Sequence, residues 1–256
     1  MTDVVLLSVT EIEYAAAKEL YDWKTVELGD IAYETAAFTR DGVLHSIALF
    51  HIEEYGMVAS AASTMRIIYE LRPRYVIMVG TCAGIAKSDV EEQIVGDIVI
   101  PDIVWNYTAG SFVVPEKATI TYGDLGFIPY VEKLYTSEEM LTYVREAMSS
   151  PDNDCHVHIG PMACGTAVVA TNKIMQNQIY TQMADTAGLE MESYGVYFSC
   201  KNCGAPRPDP VIIKSVCDYA NDDKDKRFQK LGAYTSCQFA KFFLERFLPL
   251  PGDSPM

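Results

Sequence analysis

Short runs of apolar, often β-branched residues alternate along the chain with stretches whose apolar residues recur at helical spacing. Val4–Val9 is a compact apolar run of the kind that forms a strand buried on both faces. Strands are also predicted at Ile31–Phe38, Val43–His51, Tyr75–Val79, Ile98–Val104, Cys155–Ile159 and Pro210–Val216, with a hairpin turn at residues 39–42. Helices are predicted from Thr10 to about Leu20 and over Met57–Leu71, Ser137–Met148, Thr171–Met183, Glu192–Cys203 and Gln229–Phe247.

This alternation predicts one α/β domain, with a mixed, mostly parallel central sheet flanked by helices. Thr10 and Glu13 stand at capping-box spacing, which marks the start of the first helix. Residues 107–129 mix Gly, Pro, Thr and aromatic residues without periodicity, and we interpret them as an excursion over the surface. The domain is expected to span residues 1–248. Residues 249–256 carry three prolines and a glycine, which predicts a flexible tail.

Composition limits the classes of function. The chain has 256 residues, of which 49% are hydrophobic, so a large core is available and wholesale disorder is excluded. Twenty Lys and Arg oppose 35 Asp and Glu, and a net charge of −15 argues against binding to nucleic acid or to an anionic membrane. No apolar run approaches the ~18 residues of a membrane span, and the first residues do not resemble a secretory signal.

The cysteines indicate a reducing compartment. Their number, seven, is odd, and a chain of this size does not need disulfides, so we expect free thiols and a cytoplasmic location. The sequence Cys200-Lys201-Asn202-Cys203 has no second pair at zinc-ribbon spacing. Cys155 and His158 are the other candidate ligands, but free thiols are the better interpretation. No metal is predicted.

Chemically active residue types follow several predicted strands. Ligand groups collect at such strand ends in open α/β sheets. Each group alone has an ordinary explanation, because acids favour helix starts, glycines serve turns and aspartate caps helices. Only their combination is therefore informative. The four groups are Glu11 with Glu13, the loop Gly80–Gly84, the run Glu190-Met191-Glu192, and Asp218.

Four segments together resemble the purine nucleoside phosphorylase/nucleosidase superfamily, and most closely its methylthioadenosine/S-adenosylhomocysteine nucleosidase branch. The resemblance runs from Val4 to about Leu248 and implies that family's fold. It also implies a purine nucleosidase that hydrolyses the N-glycosidic bond of an adenine nucleoside to free base and sugar. The segments are Val79–Ile85, Val95–Ile100, Gly188–Glu192 and Ser215–Asp218.

The resemblance assigns a role to each carboxylate. Glu192 matches the residue that binds the ribose hydroxyls, with Met191 against the sugar. Asp218 matches the acid that protonates or hydrogen-bonds purine N7, and Glu13 the base that activates the attacking water. Cleavage through an oxocarbenium-like sugar needs these functions: an acid for the leaving base, a nucleophile and nearby negative charge. The loop beside the sugar and the nucleophile matches Thr81, Cys82, Ala83 and Gly84.

Departures from the family pattern refine these expectations. Met78 stands where bacterial-type phosphorylases place an arginine, and Ser8–Glu13 replaces their phosphate loop, so water is the expected nucleophile. Lys214 replaces the nucleosidases' arginine and is expected to contact the sugar side. Met162 is the candidate for contact with the base. The family implies a homo-oligomer that binds a small-molecule nucleoside or nucleotide, and no cofactor.

Alternative functions stay open. Residues 215–229 resemble the nucleosidase domains of fungal NLR-type and bacterial antiphage proteins, some of which remove adenine from nucleotides. Lys224, Lys226 and Arg227 are the clustered cations that a nucleotide's phosphates would need, but acids stand between them. The alternatives are therefore an AMP/ATP nucleosidase acting as an immune effector, a phosphate-dependent phosphorylase, and a nucleoside-binding module without turnover.

Overall fold

A large mixed sheet organises the chain. The computed structural model describes residues 2–29, 31–85, 93–122 and 124–252. Within these residues the chain forms a twelve-stranded sheet of β1 (Val4–Ser8), β2 (Lys24–Leu28), β3 (Ile31–Arg40), β4 (Val43–His51), β5 (Tyr75–Ala83), β6 (Ile98–Ile100), β7 (Ile103–Asn106), β11 (Lys133–Tyr135), β12 (Val157–Ile159), β13 (Met162–Cys164), β14 (Gly188–Glu190) and β15 (Asp209–Asp218). The strand order is β11-β7-β13-β14-β5-β1-β4-β3-β2. In addition, β15 pairs with β5 and β6, and β12 pairs with β6.

The centre of the sheet is parallel, as the sequence predicts. β1 pairs in parallel with both β4 and β5, and β15 pairs in parallel with β5. Helices cover both faces, so every residue of β1 is buried. Val4 and Leu6 belong to the first core cluster, which lies on one face of the sheet. Val5 and Leu7 belong to the second core cluster, which lies on the other face. This two-sided burial is the reason for the unbroken apolar run in the sequence.

The helices divide between the two faces. Side chains of α1, α3 and α7 join the first core cluster, and those of α2 and α6 join the second. The structure therefore confirms a single α/β domain with a mixed sheet between helices. The helices are α1 (Glu11–Lys18), α2 (Met57–Leu71), α3 (Glu138–Met148), α4 (Asn172–Ile174), α5 (Tyr180–Gln182), α6 (Ser193–Asn202) and α7 (Gln229–Arg246).

Two predicted elements are divided in the structure. The predicted strand Ile98–Val104 is interrupted at Pro101, which has no N–H for a sheet ladder, and its halves are β6 and β7. The predicted helix Thr171–Met183 begins with Thr171 as N-cap. It then widens into a π-helical turn at Met175–Ile179 between α4 and α5.

The segment 107–129 is also more ordered than predicted. It holds a separate three-stranded antiparallel sheet in which β10 (Leu125–Pro129) pairs with β8 (Gly110–Val113) and β9 (Ile120–Tyr122). This sheet was not predicted, and the interpretation of the segment as an excursion over the surface stays a prediction. The predicted flexible tail differs from the structure at Leu250, which is 4% exposed and belongs to the first core cluster. Residues 253–256 lie outside the described residues.

Two further expectations can be compared with the structure. All seven cysteines are free thiols, and six of them are buried. In the part of the chain that the structure describes, no helix is both long enough and apolar enough to cross a membrane.

Candidate functional site

The carboxyl ends of the parallel strands β1, β5 and β15 meet at one edge of the sheet, where β14 pairs with β5 in the opposite direction. β15 runs beside β5 with Ser215 opposite Thr81, and Asp218 reaches Ala83 after an irregularity in the register. Leu189 of β14 also pairs with Ala83. Glu13 stands in the first turn of α1, which follows β1. The fold thereby brings together the acidic residues that lie far apart in the sequence.

Glu13 is buried and held by two parts of the chain. Its carboxylate Oε2 accepts hydrogen bonds from the backbone N–H groups of Val9 and Thr10, and the Thr10 hydroxyl accepts one from Glu13 N–H, which completes the predicted capping box. Its Oε1 accepts a 2.8 Å hydrogen bond from the Thr81 N–H and a longer one, 3.3 Å, from the Thr81 hydroxyl. Glu13 therefore links the first helix to the last residues of β5.

Lys214 lies among three carboxylates. Its side chain is 1% exposed, and its Nζ is 3.9 Å from Oε2 of Glu190. Burial by itself lowers the pKa of this ammonium, but Glu13, Glu190 and Glu192 more than offset that effect and raise the pKa above its usual value. Lys214 is thus a charged group inside an acidic cluster that consists of Glu13, Glu190 and Glu192. Because these acidic side chains outnumber the ammonium, the cluster is negative.

Gly80 makes room for this cluster. Its φ of +146° is one that residues with a side chain rarely adopt, and its N–H donates to the Ser236 hydroxyl. A Cβ at this position would overlap the Glu13 carboxylate and lie 2.9 Å from Lys214 Nζ. The loop glycine is therefore a steric requirement of the site.

Gly80→Ala should consequently lower both stability and activity. The added methyl must displace Glu13 and Lys214, and overpacking of this kind costs roughly 1–3 kcal/mol in the free energy of unfolding. Gly204→Ala is the matched control, because its Cβ would have no atom closer than 3.9 Å. Thermal denaturation of both variants measures the effect. Equal melting temperatures would contradict the steric role of Gly80.

Glu190 and Glu192 organise the start of α6. The Glu190 carboxylate accepts hydrogen bonds from the N–H groups of Glu192 and Ser193, so it caps the helix. Glu192 is free of this task, and its Oε1 accepts a 2.8 Å hydrogen bond from the Gly56 N–H. Burial and the neighbouring Glu190 raise the pKa of Glu192 to about 7, against the lowering effects of Lys214 and Gly56.

This raised pKa predicts a pH-dependent stability. Folded Glu192 holds its proton up to about pH 7, whereas the unfolded side chain releases it near 4.5, so its contribution to stability falls as the pH rises through that window. Glutamine does not titrate, so Glu192→Gln removes this loss of stability at higher pH. The melting temperature of this variant should exceed that of the wild type more at about pH 8 than at about pH 5. The exposed Glu54→Gln is the control, and a difference that does not change with pH would contradict the assignment.

Asp218 ends β15 beside a cavity. Its Oδ1 accepts a hydrogen bond from the Ala220 N–H, and its Oδ2 accepts one from the Lys224 ammonium at 2.6 Å. The cavity has a volume of about 160 Å³, below the 300–1,000 Å³ typical of ligand pockets. Lys224 lines this cavity, and its ammonium bonds to Oδ2, the carboxylate oxygen of Asp218 that Ala220 does not contact. Its other lining residues are Val95, Cys217, Tyr219, Asn221, Asp223, Asp225, Arg227 and Phe228.

The predicted loop residues connect Asp218 to the acidic cluster. Thr81 bonds to Glu13, and its side chain also interacts with the Cys217 thiol, next to Asp218. The Gly84 N–H donates to the Asp218 carbonyl oxygen. Cys82 and Ala83 are buried in the last residues of β5. Met191 is half-buried beside Glu192.

Met162 does not join these residues. It is fully buried in β13, within the second core cluster, and Gly188 leaves space for its thioether. Its predicted role as a base contact is not supported by this position. Sequence reasoning also missed Gly56 and the partnership of Lys224 with Asp218. Gly56 could have been noticed, because it stands immediately before the predicted helix Met57–Leu71. The contact between Lys224 and Asp218 depends on the geometry of a loop, which residue spacing does not reveal.

The carboxylates of the cluster are occupied by N–H groups and by Lys214. Among the residues that the structure describes, one group of three or more side chains has donor atoms close enough to hold a single metal ion, and it lies elsewhere, at Asp97, His156 and His158. The acidic cluster thus offers hydrogen-bond acceptors and negative charge.

Comparisons with known proteins place the chain in a family. The family model described as the Phosphorylase superfamily matches residues 3–248. An uncharacterised protein (y4jS) of Sinorhizobium fredii is 28% identical over 89% of this chain and 56% of its own length. ATP nucleosidase Cap17 of Escherichia coli is 22% identical over 94% of this chain and 51% of its own length. The chain thus spans about half the length of these two relatives.

A solved structure has the same fold. The 5′-methylthioadenosine/S-adenosylhomocysteine nucleosidase of Neisseria meningitidis, in complex with methylthio-immucillin-A, superposes with a TM-score of 0.73 at 21% identity. The superposition covers 96% of this chain and 99% of that structure.

Proposed function

Because the chain belongs to the phosphorylase superfamily, we propose that it is a purine nucleosidase that hydrolyses the N-glycosidic bond of an adenine nucleoside. The proposal rests on one observation: at one edge of the sheet, the carboxyl group of Asp218 lies apart from the acidic cluster that contains Glu13 and Glu192. Asp218 faces a cavity, whereas Glu13 and Glu192 lie in a negative cluster beyond Thr81. The similarity to a methylthioadenosine/S-adenosylhomocysteine nucleosidase supports the substrate class.

The arrangement suits the three demands of the reaction. Asp218, oriented by the Ala220 N–H and released from its ion pair with Lys224, takes up a proton from the solvent and gives it to the leaving purine as the electrons of the C–N bond move into the base. Glu13 removes a proton from the water that attacks the anomeric carbon. Glu192 accepts hydrogen bonds from the sugar hydroxyls, and the cluster's charge stabilises the oxocarbenium-like sugar. The products are the free base and the free sugar.

Water must reach the Glu13 carboxylate. That group already accepts four hydrogen bonds, about the number of its lone-pair sites, and the longest, 3.3 Å, comes from the Thr81 hydroxyl. The hydroxyl rotates without moving the backbone, so a water can take its place while the three N–H groups still hold the carboxylate. Thr81 then faces the water.

The charge of the cluster favours water over phosphate. A phosphate nucleophile needs cationic donors, and Lys214 is already matched by Glu13, Glu190 and Glu192. Met78, at the position of the phosphorylases' arginine, is fully buried in the core. A phosphate dianion would therefore meet excess negative charge.

Release of free base tests the proposal. Methylthioadenosine, S-adenosylhomocysteine, adenosine, inosine, AMP and ATP are each incubated with the protein, with and without phosphate. The proposal predicts adenine release that does not depend on phosphate, fastest with a neutral nucleoside. Release only in phosphate would indicate a phosphorylase, and binding without release would indicate a nucleoside-binding module.

Cleavage of adenine nucleotides is the second candidate function. Lys224 and Arg227 line the cavity beside Asp218, and a 22%-identical relative is an ATP nucleosidase. Both cations are already paired, however: Lys224 with Asp218 and Arg227 with Asp225, each at 2.6 Å. A nucleotide would have to compete with these carboxylates, which makes the neutral nucleoside the first choice.

Lys224→Met separates the two candidates. If the substrate is a neutral nucleoside, the variant should keep its adenosine cleavage within roughly tenfold, because Asp218 retains its Ala220 N–H and gains a free oxygen. If phosphates bind here, the ATP reaction alone should fall by more than that factor. Steady-state kcat/KM values for adenosine and ATP decide between these outcomes, with Lys226→Met as the exposed control.

A further inference from the structure

Two histidines converge on one buried carboxylate, away from the acidic cluster. Asp97 is 4% exposed, and its Oδ2 lies 2.8 Å from His158 Nε2 and 3.2 Å from His156 Nδ1. The three donor atoms lie within 4.8 Å of one another. The fold produces this convergence, because Asp97 directly precedes β6, and β12, which begins beside His156, pairs with β6 in parallel.

We propose that Asp97, His156 and His158 form a binding site for a divalent transition-metal ion, with Zn²⁺ as the expected occupant. Imidazole nitrogen and carboxylate oxygen are ligands that Zn²⁺ prefers, at about 2.0–2.2 Å. Ligands at that distance in a tetrahedron stand roughly 3.3 Å apart. The present separations of 2.8 and 3.2 Å would widen by about 0.5 and 0.1 Å, and the two histidine nitrogens already lie within 4.8 Å of each other.

The surroundings suit a three-ligand site with an open position. His158 is nearly buried, whereas the His156 side chain is 49% exposed, so a water can complete the coordination from the solvent side. The Asp97 carboxylate is also fixed by the Ile94 N–H at 3.0 Å. Such support orients a ligand before the metal binds. The protein's net charge of −15 further favours cation binding.

The site is connected to the candidate active site through the backbone. The Asp97 carbonyl oxygen accepts a hydrogen bond from the Val216 N–H, and the Gly96 N–H donates to the Val216 carbonyl oxygen. Val216 lies two residues before Asp218, and Val95 lines the cavity beside Asp218. An ion at Asp97 would therefore hold residues 94–97 against β15 and stabilise one wall of that cavity.

Competition with a chromophoric chelator tests the site. Chelator-treated protein is titrated with Zn²⁺ in excess Mg²⁺, which occupies non-specific carboxylates. We expect one equivalent to bind and to raise the melting temperature. His156→Gln should weaken binding by at least about tenfold and abolish the thermal shift. This residue is half exposed, so the variant is expected to fold, and circular dichroism checks that it does.

Two controls identify the ligands. His51→Gln removes a histidine whose ring contacts Tyr14 and the Val9 carbonyl, and Cys155→Ser removes the thiol next to His156. Both should bind Zn²⁺ as tightly as the wild type. The proposal is overturned if Zn²⁺ does not bind stoichiometrically, or if the wild type and His156→Gln bind it equally well. Loss of binding in Cys155→Ser would overturn it too. These outcomes do not depend on the proposed nucleosidase activity.

Discussion

Replacing Asp218 with asparagine is expected to lower kcat/KM for adenine release by roughly 10²–10⁴-fold, the contribution typical of a general acid. Asparagine has nearly the same shape and can still accept the Ala220 hydrogen bond through its carbonyl oxygen. It cannot donate a proton to the leaving purine, and its amide cannot accept the Lys224 ammonium as a carboxylate does. The loss should therefore appear mainly in kcat.

Asp223→Asn is the matched control for this variant. Asp223 lines the same cavity but is exposed, so the substitution makes the same chemical change beside the same opening. Its kcat should remain close to that of the wild type. An equal loss in both variants would show that cavity charge, rather than proton donation by Asp218, governs the rate.

Glu13→Gln is expected to have an effect of similar size, roughly 10²–10⁴-fold in kcat/KM. Glutamine cannot remove a proton from water, and it takes one negative charge from the cluster around Lys214. The variant should also be less stable by about 1–3 kcal/mol. Its single amide oxygen cannot serve both the Val9 and Thr10 N–H groups and the Thr81 N–H.

Glu11→Gln provides the comparison for Glu13→Gln. Glu11 stands in the same first turn of α1 but is exposed, so its replacement tests helix-dipole effects alone. Activity is measured at a temperature where thermal denaturation shows both variants folded. If Glu13→Gln keeps more than a tenth of the wild-type rate there, Glu13 is not the base.

Strong local patterns made the centre of the fold predictable. The run Val4–Val9 is apolar because β1 is covered on both faces, and the capping box of Thr10 and Glu13 is present as predicted. The short strands β13 and β14 were not predicted, because three residues give no periodicity and their pairing depends on distant segments. The sheet within residues 107–129 was missed for the same reason.

The candidate site was predictable at its strand ends and less so between them. Glu192 and Asp218 follow from motifs, but their hydrogen-bond partners Gly56 and Lys224 come from loops that tertiary packing positions. Met162 is part of the core in the structure, and its predicted contact with the base stays a prediction. The sequence analysis named His158 as a candidate ligand but with Cys155 as its partner, because the spacing of the histidines does not reveal that Asp97 lies next to them in the fold.

The source of the oxygen in the sugar product identifies the nucleophile and so distinguishes a hydrolase from a phosphorylase. The protein is incubated with adenosine, or with the best substrate of the panel, in phosphate-free water enriched in the heavy oxygen isotope. Mass spectrometry of promptly quenched samples then identifies the sugar product. We expect free sugar carrying one heavy oxygen, formed in equal amount to adenine and lost in Glu13→Gln. Absence of base release, or a sugar phosphate formed only when phosphate is added, would contradict it.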